Sequence, residues 1–173
     1  VDQNPPSFLD ALIKDSEGSL NIIHANVPFT GASKARNYGA SIATGEIIAL
    51  PDDDCIYRKD TIKNVMRGFE RKDELGILIE GTDETLNAIH HDNGLSRNAV
   101  TEIHTVLDLF KAKAETSNIF ARKEYLSKLE YNFDNKIGPG ERTKWASNGE
   151  ADLLVRLLKR NIPIMKNEVV RRI

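Results

Sequence analysis

Three consecutive aspartates, Asp52, Asp53 and Asp54, are the residues in this sequence most suited to chemistry. Adjacent carboxylates repel one another unless a cation or hydrogen-bond donors neutralise them. Mg²⁺ and Mn²⁺ prefer oxygen ligands and commonly bridge a carboxylate to a substrate phosphate. We therefore interpret the triplet as a candidate metal and phosphate site, with Asp52 and Asp54 on the same side of an extended segment. The alternative is a solvated turn or a helix cap, where aspartate is also favoured.

The segments around the triplet predict where it lies in a fold. Residues 46–50 are apolar and predict a buried strand that ends at Pro51, and residues 20–24 and 75–79 predict two further strands. Helices are predicted at about 33–43 and 60–72. Strands alternating with helices indicate an α/β fold with a mainly parallel sheet, in which ligands bind beyond the carboxyl ends of the strands. This placement favours the ligand site over the solvated turn.

Other segments are predicted from their apolar periodicity. Ser7 is expected to cap a first helix, and the 60–72 helix is expected to bury Ile62, Val65, Met66 and Phe69. Residues 98–113 fit either a helix or a long strand, and the pattern does not decide. A strand is predicted at 117–121 and an amphipathic helix at 150–160.

Composition excludes several classes of protein. The chain has 173 residues, which suits one domain, and a net charge of −2 argues against a protein that coats nucleic acid. No apolar run approaches the roughly 18–20 residues of a membrane span. The only cysteine is Cys55, so no intrachain disulfide can form, which fits a cytoplasmic location.

Several segments together resemble a known family. The segment Gly31–Gly39, which reads GASKARNYG, is followed by GEIIALPDDD at residues 45–54, and the pair resembles the inverting family-2 glycosyltransferases, which have the GT-A fold. Residues 117–123, 133–140 and 148–154 are similar to three later segments of that family. The resemblance covers about residues 1–165. It implies one GT-A-type domain over 1–173, with a mixed, mainly parallel sheet flanked by helices, residues 1–80 binding the nucleotide and residues 81–173 on the acceptor side.

The resemblance also implies roles by position. Asp52 and Asp54 would form the DxD pair that holds Mg²⁺ or Mn²⁺. Asp2, Arg36, Asp52 and Asp53 would bind the nucleotide-sugar donor, with Asp2 near the base or ribose. A guanidinium suits a phosphate in any such pocket, whereas the alternative for Arg36 is a structural ion pair with an aspartate.

Inverting transfer needs a base that takes the proton of the attacking hydroxyl. The resemblance places this base among the acids that open the 150–160 helix, Glu150 and Asp152, and we favour Glu150. Both acids also suit a purely structural role at a helix N-terminus. Ala151 departs from the family pattern, because a second acid is usual at that position.

The implied function is a metal-dependent glycosyltransferase of the hexosyltransferase type. It would move a sugar from a nucleoside-diphosphate donor to a glycan or lipid-linked acceptor with inversion, without a nucleic-acid partner. Contact with the inner face of a membrane would come only through segments outside these residues. The family's first strand and helix have no counterpart before Val1, so we expect an N-terminally incomplete domain. The alternative is a non-catalytic nucleotide- or carbohydrate-binding module with a degenerate site.

Five further positions carry weaker signals. His90 and His91 with Asp92 are expected to be solvated rather than metal-binding. His24 is expected to be an ordinary, partly buried histidine. Trp145, the only tryptophan, either stacks on an acceptor sugar or packs in the core.

Overall fold

The structure is a computed structural model that describes residues 1–16, 18–52, 54–81, 99–130, 132–139 and 145–168. The helices are α1 (Asp10–Ser16), α2 (Ala32–Ile42), α3 (Thr61–Arg71), α4 (Val106–Ala112), α5 (Lys123–Leu126) and α6 (Gly149–Leu158). The strands are β1 (Ile47–Ala49), β2 (Ile77–Glu80), β3 (Ala99–Ile103), β4 (Ile119–Arg122) and β5 (Ile164–Glu168). Most of the predicted elements are therefore present, within a few residues of their predicted ends.

The five strands form one mixed sheet in the order β1-β4-β2-β5-β3. Only the β2–β5 pairing is parallel among these strands, and β1–β4, β2–β4 and β3–β5 are antiparallel. The predicted α/β class is confirmed, but the prediction of a mainly parallel sheet is wrong. The β1–α3–β2 crossover does leave β1 and β2 pointing the same way, as expected. The difference arises because β4, which comes later in the chain, lies antiparallel between them.

The core of the sheet is built on β2. Ile77, Leu78 and Ile79 have no exposed surface, so both faces of this strand are covered. On one face Leu78 packs with Val65 and Phe69 of α3, four residues apart on the helix. Ile62 and Met66, which were predicted to join this stripe, are instead 55% and 44% exposed. The buried stripe of α3 is thus narrower than its apolar sequence indicates.

The chain divides into two compact units. The first unit is Val1–Thr44 with Tyr131–Gly149, and the second unit is Gly45–Glu130 with Glu150–Ile173. The second unit contains the sheet. The first unit contains α1, α2 and an isolated bridge between Asp2 and Asn26.

Two predictions for the first unit are wrong. Residues 20–24 form no strand, and Leu20 and Ile23 are 64% and 58% exposed. A strand needs neighbouring strands to bond its backbone, and the bridge at Asn26 is the only such pairing of this segment within the described residues. The first helix begins at Asp10 rather than after Ser7, which has a positive φ of 68° in a preceding turn.

The undecided segment 98–113 contains both a strand and a helix. β3 ends at Ile103, and α4 begins after Thr105, whose side-chain oxygen accepts a hydrogen bond from the Asp108 N–H at 3.2 Å. The Asp108 carboxylate accepts in return from the Thr105 N–H at 2.9 Å. This reciprocal capping box explains why the chain changes from strand to helix at that point. No described helix has the length and apolar character needed to cross a membrane.

Candidate functional site

The acidic segment follows directly after β1 in the second unit. Asp52 is half-buried and Asp54 is exposed, whereas Asp53 lies outside the described residues. The Cys55 N–H lies 3.4 Å from the Asp52 carbonyl oxygen, and the Cys55 thiol lies 3.0 Å from the same oxygen. The chain therefore turns at this point instead of staying extended. Strand alternation therefore does not apply to Asp52 and Asp54, and their joint role stays a prediction.

Asp52 acts electrostatically on a neighbouring tyrosine. Burial raises the pKa of Tyr57 to about 12, and electrostatic interaction with Cys55 and Asp52 adds to the effect. The Tyr57 hydroxyl donates a hydrogen bond to the Ser117 carbonyl oxygen at 2.8 Å, and its ring lies 5.6 Å from that of Phe120. Tyr57 thus anchors the chain that follows the aspartates to the strand β4.

A carboxyl group at the end of β2 was not identified from the sequence. Glu80 is half-buried, and its Oε2 accepts a hydrogen bond at 2.8 Å from Nδ2 of Asn167, its partner across the parallel β2–β5 pair. Burial raises the pKa of Glu80, the charge of Asp60 raises it further, and the hydrogen bond from Asn167 and the charge of Arg58 oppose the shift. The only signal in the sequence is its place as the last residue of an apolar strand.

The described residues contain no preformed cluster of metal-binding side chains. Across 1–16, 18–52, 54–81, 99–130, 132–139 and 145–168, no group of three or more His, Cys, Asp or Glu side chains is arranged to hold a metal ion. Asp53, His90, His91 and Asp92 lie outside these residues. Two carboxylates with substrate phosphates are enough to hold Mg²⁺, so Asp52 and Asp54 fit such an ion by donor type.

Asp2 lies in the first unit and is almost fully buried, with 4% of its surface exposed. Its Oδ1 accepts hydrogen bonds at 2.8 Å from both the backbone N–H and the side-chain Nδ2 of Asn4. Its Oδ2 lies 3.1 Å from Nε2 of His24. The Asn4 backbone N–H contributes most to lowering the pKa of Asp2 to about 2, and the hydrogen bond from His24 lowers it too. The carboxylate is therefore held as an anion by its own neighbours.

Helix α2 is tied to the loop at 133–138 within the first unit. The side chain of Asn37 donates to the Phe133 carbonyl oxygen at 2.7 Å and accepts from the Phe133 N–H at 2.8 Å. The buried Ser33 hydroxyl donates to the Ile137 carbonyl oxygen. Gly138 has a φ of 125°, and a Cβ there would lie 2.8 Å from the Ser33 oxygen. Two of the segments that carry the family resemblance are thus structural partners of each other.

Arg36 lies on the same helix and is half-buried. Its guanidinium carbon lies 5.5 Å from the centre of the Phe133 ring, within the range of a cation–π contact. The side chain is therefore positioned by an aromatic ring, a contact that the sequence did not predict.

The two candidate base residues open α6. Glu150 and Asp152 are both half-buried in its first turn. Oδ2 of Asp152 accepts a hydrogen bond from Nε of Arg156 at 2.9 Å, one helical turn away. Nη2 of the same guanidinium lies 2.9 Å from that oxygen and completes an ion pair. The two acids therefore differ, because one oxygen of Asp152 is held in an ion pair.

The structure shows how exposed Trp145 is and which groups Arg122 contacts. Trp145 is 63% exposed, so of its two predicted alternatives core packing is wrong. Arg122 donates from Nε to the Leu75 carbonyl oxygen at 3.0 Å and from Nη2 to the Phe69 carbonyl oxygen at 3.3 Å. Arg122 thus joins β4 to the end of α3 and is a structural residue.

The candidate residues divide between the two units. The first unit contains Asp2 and Arg36, and the second unit contains Asp52, Asp54, Glu150 and Asp152.

Comparison with known proteins gives one family and one fold. The sequence model of the family described as Glycosyl transferase family 2 matches residues 2–129. The crystal structure of S. aureus TarS 1-349 is similar to this chain, with a TM-score of 0.67, 16% sequence identity and coverage of 98% of this chain and 48% of that chain. This chain thus spans about half the length of that structure, and at this identity the likeness shows the fold alone. No curated protein matches the sequence.

Proposed function

The chain belongs to glycosyl transferase family 2 and has a GT-A-type fold, and from this premise we propose that it transfers a sugar from a nucleoside-diphosphate donor to a hydroxyl acceptor with inversion. The observation that carries the proposal is the acidic segment directly after β1. It lies within the part of the chain that matches the family, and Asp52 is half-buried there rather than fully solvated. Carboxylates at this position can hold a divalent cation that also binds the phosphates of a donor.

Asp54 and Asp52 would hold Mg²⁺ or Mn²⁺, and Asp53 would contact the donor beside them. When bound, such an ion neutralises charge that develops on the departing nucleoside diphosphate. Arg36 of the first unit would bind the nucleotide part of the donor, and Asp2 would lie near the base or ribose. The support for Arg36 is its fixed position over Phe133, because a guanidinium held in place loses less freedom when it binds a phosphate.

Glu150 would act as the base. It would remove the proton from the acceptor hydroxyl as the hydroxyl oxygen forms a bond to the anomeric carbon of the sugar. The bond from that carbon to the diphosphate breaks in the same step, and the nucleoside diphosphate leaves with the bonding electrons. What favours Glu150 over Asp152 is the ion pair with Arg156, which occupies one oxygen of Asp152.

The acceptor would be a glycan or a lipid-linked sugar, and the enzyme would be of the hexosyltransferase type. The exposed indole of Trp145, four residues before Gly149 opens α6, supports this proposal, because a flat aromatic face suits a sugar ring. Cys55 is the only cysteine, which is consistent with a reducing compartment, and we place the reaction in the cytoplasm.

A second candidate is a non-catalytic nucleotide- or carbohydrate-binding module. Ala151 stands where a second acid is usual, and the neighbouring Asp152 is engaged by Arg156. Both observations favour a degenerate catalytic centre, whereas the intact aspartate segment opposes it.

Calorimetry with UDP and GDP, each with and without Mn²⁺, tests the proposal and separates the two candidates. We expect binding that needs Mn²⁺ and is lost in Asp54→Ala but kept in Asp73→Ala, a control that removes an exposed aspartate of the same unit. Removal of the base in Glu150→Gln is expected to lower transfer by roughly 10²- to 10⁴-fold while nucleotide binding persists. Metal-independent binding without transfer would instead identify the module.

A further inference from the structure

The Asp2 carboxylate is already occupied by groups of its own unit. Its side chain is 2% exposed, with two donors of Asn4 on Oδ1 and His24 on Oδ2. A ligand that bound this carboxylate directly would have to displace at least one of these partners. The group of this pair that a ligand can reach is the ring of His24, whose side chain is 29% exposed.

The charge of Asp2 determines which nitrogen of His24 carries the proton. Because the pKa of Asp2 is lowered to about 2, the group is a carboxylate at neutral pH and can only accept hydrogen bonds. Nε2 of His24, 3.1 Å from Oδ2, must therefore be the donor in this contact. In the neutral imidazole Nδ1 then carries a lone pair and is an acceptor.

The backbone fixes the pair in place. The Asp2 N–H donates to the Ala25 carbonyl oxygen at 2.8 Å, and the Val27 N–H donates to the Asp2 carbonyl oxygen at 2.9 Å. These two bonds join the segment that carries Asp2 to the segment that carries His24. Together with the contact to Asp2, these bonds hold the His24 ring in one orientation. A ring held in one orientation can discriminate between ligands by their hydrogen-bonding groups.

We propose that His24 contacts the base of the donor nucleotide and accepts a hydrogen bond from its imino N–H through Nδ1. The inference rests on the proposed function, in which the first unit binds the nucleotide. Uracil and guanine have an imino N–H on the edge that would meet Nδ1, whereas cytosine and adenine have a lone pair at the corresponding position. His24 therefore selects uridine and guanosine diphosphates, because two facing lone pairs leave a polar group without a partner.

The test compares UDP, GDP, CDP and ADP by calorimetry with Mn²⁺ present. We expect the protein to bind UDP or GDP roughly 10- to 100-fold more tightly than CDP and ADP, the usual effect of one buried mismatch. His24→Lys replaces the acceptor with a donor and should remove this preference. His24→Gln keeps a donor for Asp2 and an acceptor beyond it, and should keep the preference. His104→Lys, at an exposed histidine of the second unit, is the control and should change nothing.

The outcomes separate this inference from the function on which it rests. A base preference that is absent in the wild type, or is unchanged in a folded His24→Lys protein, overturns the role of His24 and leaves the nucleotide site standing. If His24→Lys does not fold, loss of the preference in His24→Gln overturns the inference instead. Failure to bind any of the four nucleotides overturns the proposed function and this inference together.

Discussion

Asp2 is assigned to the nucleotide-sugar donor and Asp54 to the metal, and the surroundings of the two aspartates differ. Asp2 is buried with hydrogen-bond donors on both oxygens, whereas Asp54 is exposed in a turn. A carboxylate whose lone pairs are already used positions other groups, and an exposed carboxylate next to others is suited to a cation. In the proposed roles, Asp2 would therefore position His24, whereas Asp54 would bind a cation.

The environment of Asp2 makes stability depend on pH. Its pKa is about 2 in the folded protein and 3.8 when unperturbed, so the folded state favours the carboxylate. The stabilisation is fully present above pH 3.8 and is lost as the pH falls through about 2. Urea unfolding should show a gap between wild type and Asp2→Asn that is constant near neutral pH and closes in that window.

A graded variant makes this result specific. Asn4→Ala removes one donor to Oδ1 and keeps the Asn4 backbone N–H, so it should show a smaller loss of stability than Asp2→Asn. A gap between wild type and Asp2→Asn that stays constant down to pH 2 would contradict the proposed source of the effect.

The Asn37 side chain makes two of the hydrogen bonds that attach helix α2 to the 133–138 loop. In Asn37→Ala the buried Phe133 loses the partners of both its N–H and its carbonyl oxygen. We expect the free energy of unfolding to fall by about 2–6 kcal/mol, since each of the two unsatisfied buried groups costs about 1–3 kcal/mol. Urea unfolding followed by the fluorescence of Trp145, which belongs to the first unit, measures the loss.

The neighbouring exposed Asn135 supplies the control. Its side-chain oxygen accepts only a 3.3 Å bond from Asn37, so Asn135→Ala should cost less than about 0.5 kcal/mol. Equal losses in Asn37→Ala and Asn135→Ala would show that the paired bonds to Phe133 do not hold the loop.

The sequence predicted the positions of helices and strands along the chain better than it predicted which strands pair. α2, α3, β1 and β2 follow from apolar periodicity, which is a local property. The position of β4 between β1 and β2 depends on pairing across more than 70 residues, and no local pattern encodes it. Residues 20–24 have the composition of a strand but pair with no strand in the described part of the chain, so they do not form one.

The candidate site shows the same division. The acidic segment was found because its residues are adjacent in the sequence. The partnership of Asp2 with His24 joins residues 22 positions apart, and that of Glu80 with Asn167 joins residues 87 positions apart. Neither partnership could be predicted, because each is created by the fold.

The two units differ in how much apolar surface they bury. Three of the buried hydrophobic side chains within the described residues, Val27, Ala40 and Phe133, belong to the first unit, and twenty belong to the second. Burial of apolar surface is the main source of stability. The first unit should therefore open at a lower free energy than the second, which is common for units that bind ligands.

Amide hydrogen exchange measures both openings in one experiment. We expect the amides of β2, at 77–79, to exchange slowest, and those of α2 to exchange faster. UDP at about 100 times its dissociation constant, with Mn²⁺ present, should slow amide exchange in the first unit. If the nucleotide binds only the closed form, the opening free energy of that unit should rise by up to about 2.7 kcal/mol. Mn²⁺ alone is the control, since Asp2, His24 and Arg36 are assigned to the nucleotide and not to the metal. Protection by UDP that is confined to the second unit would contradict the assignment of Asp2, His24 and Arg36 to the nucleotide, even if the nucleotide binds.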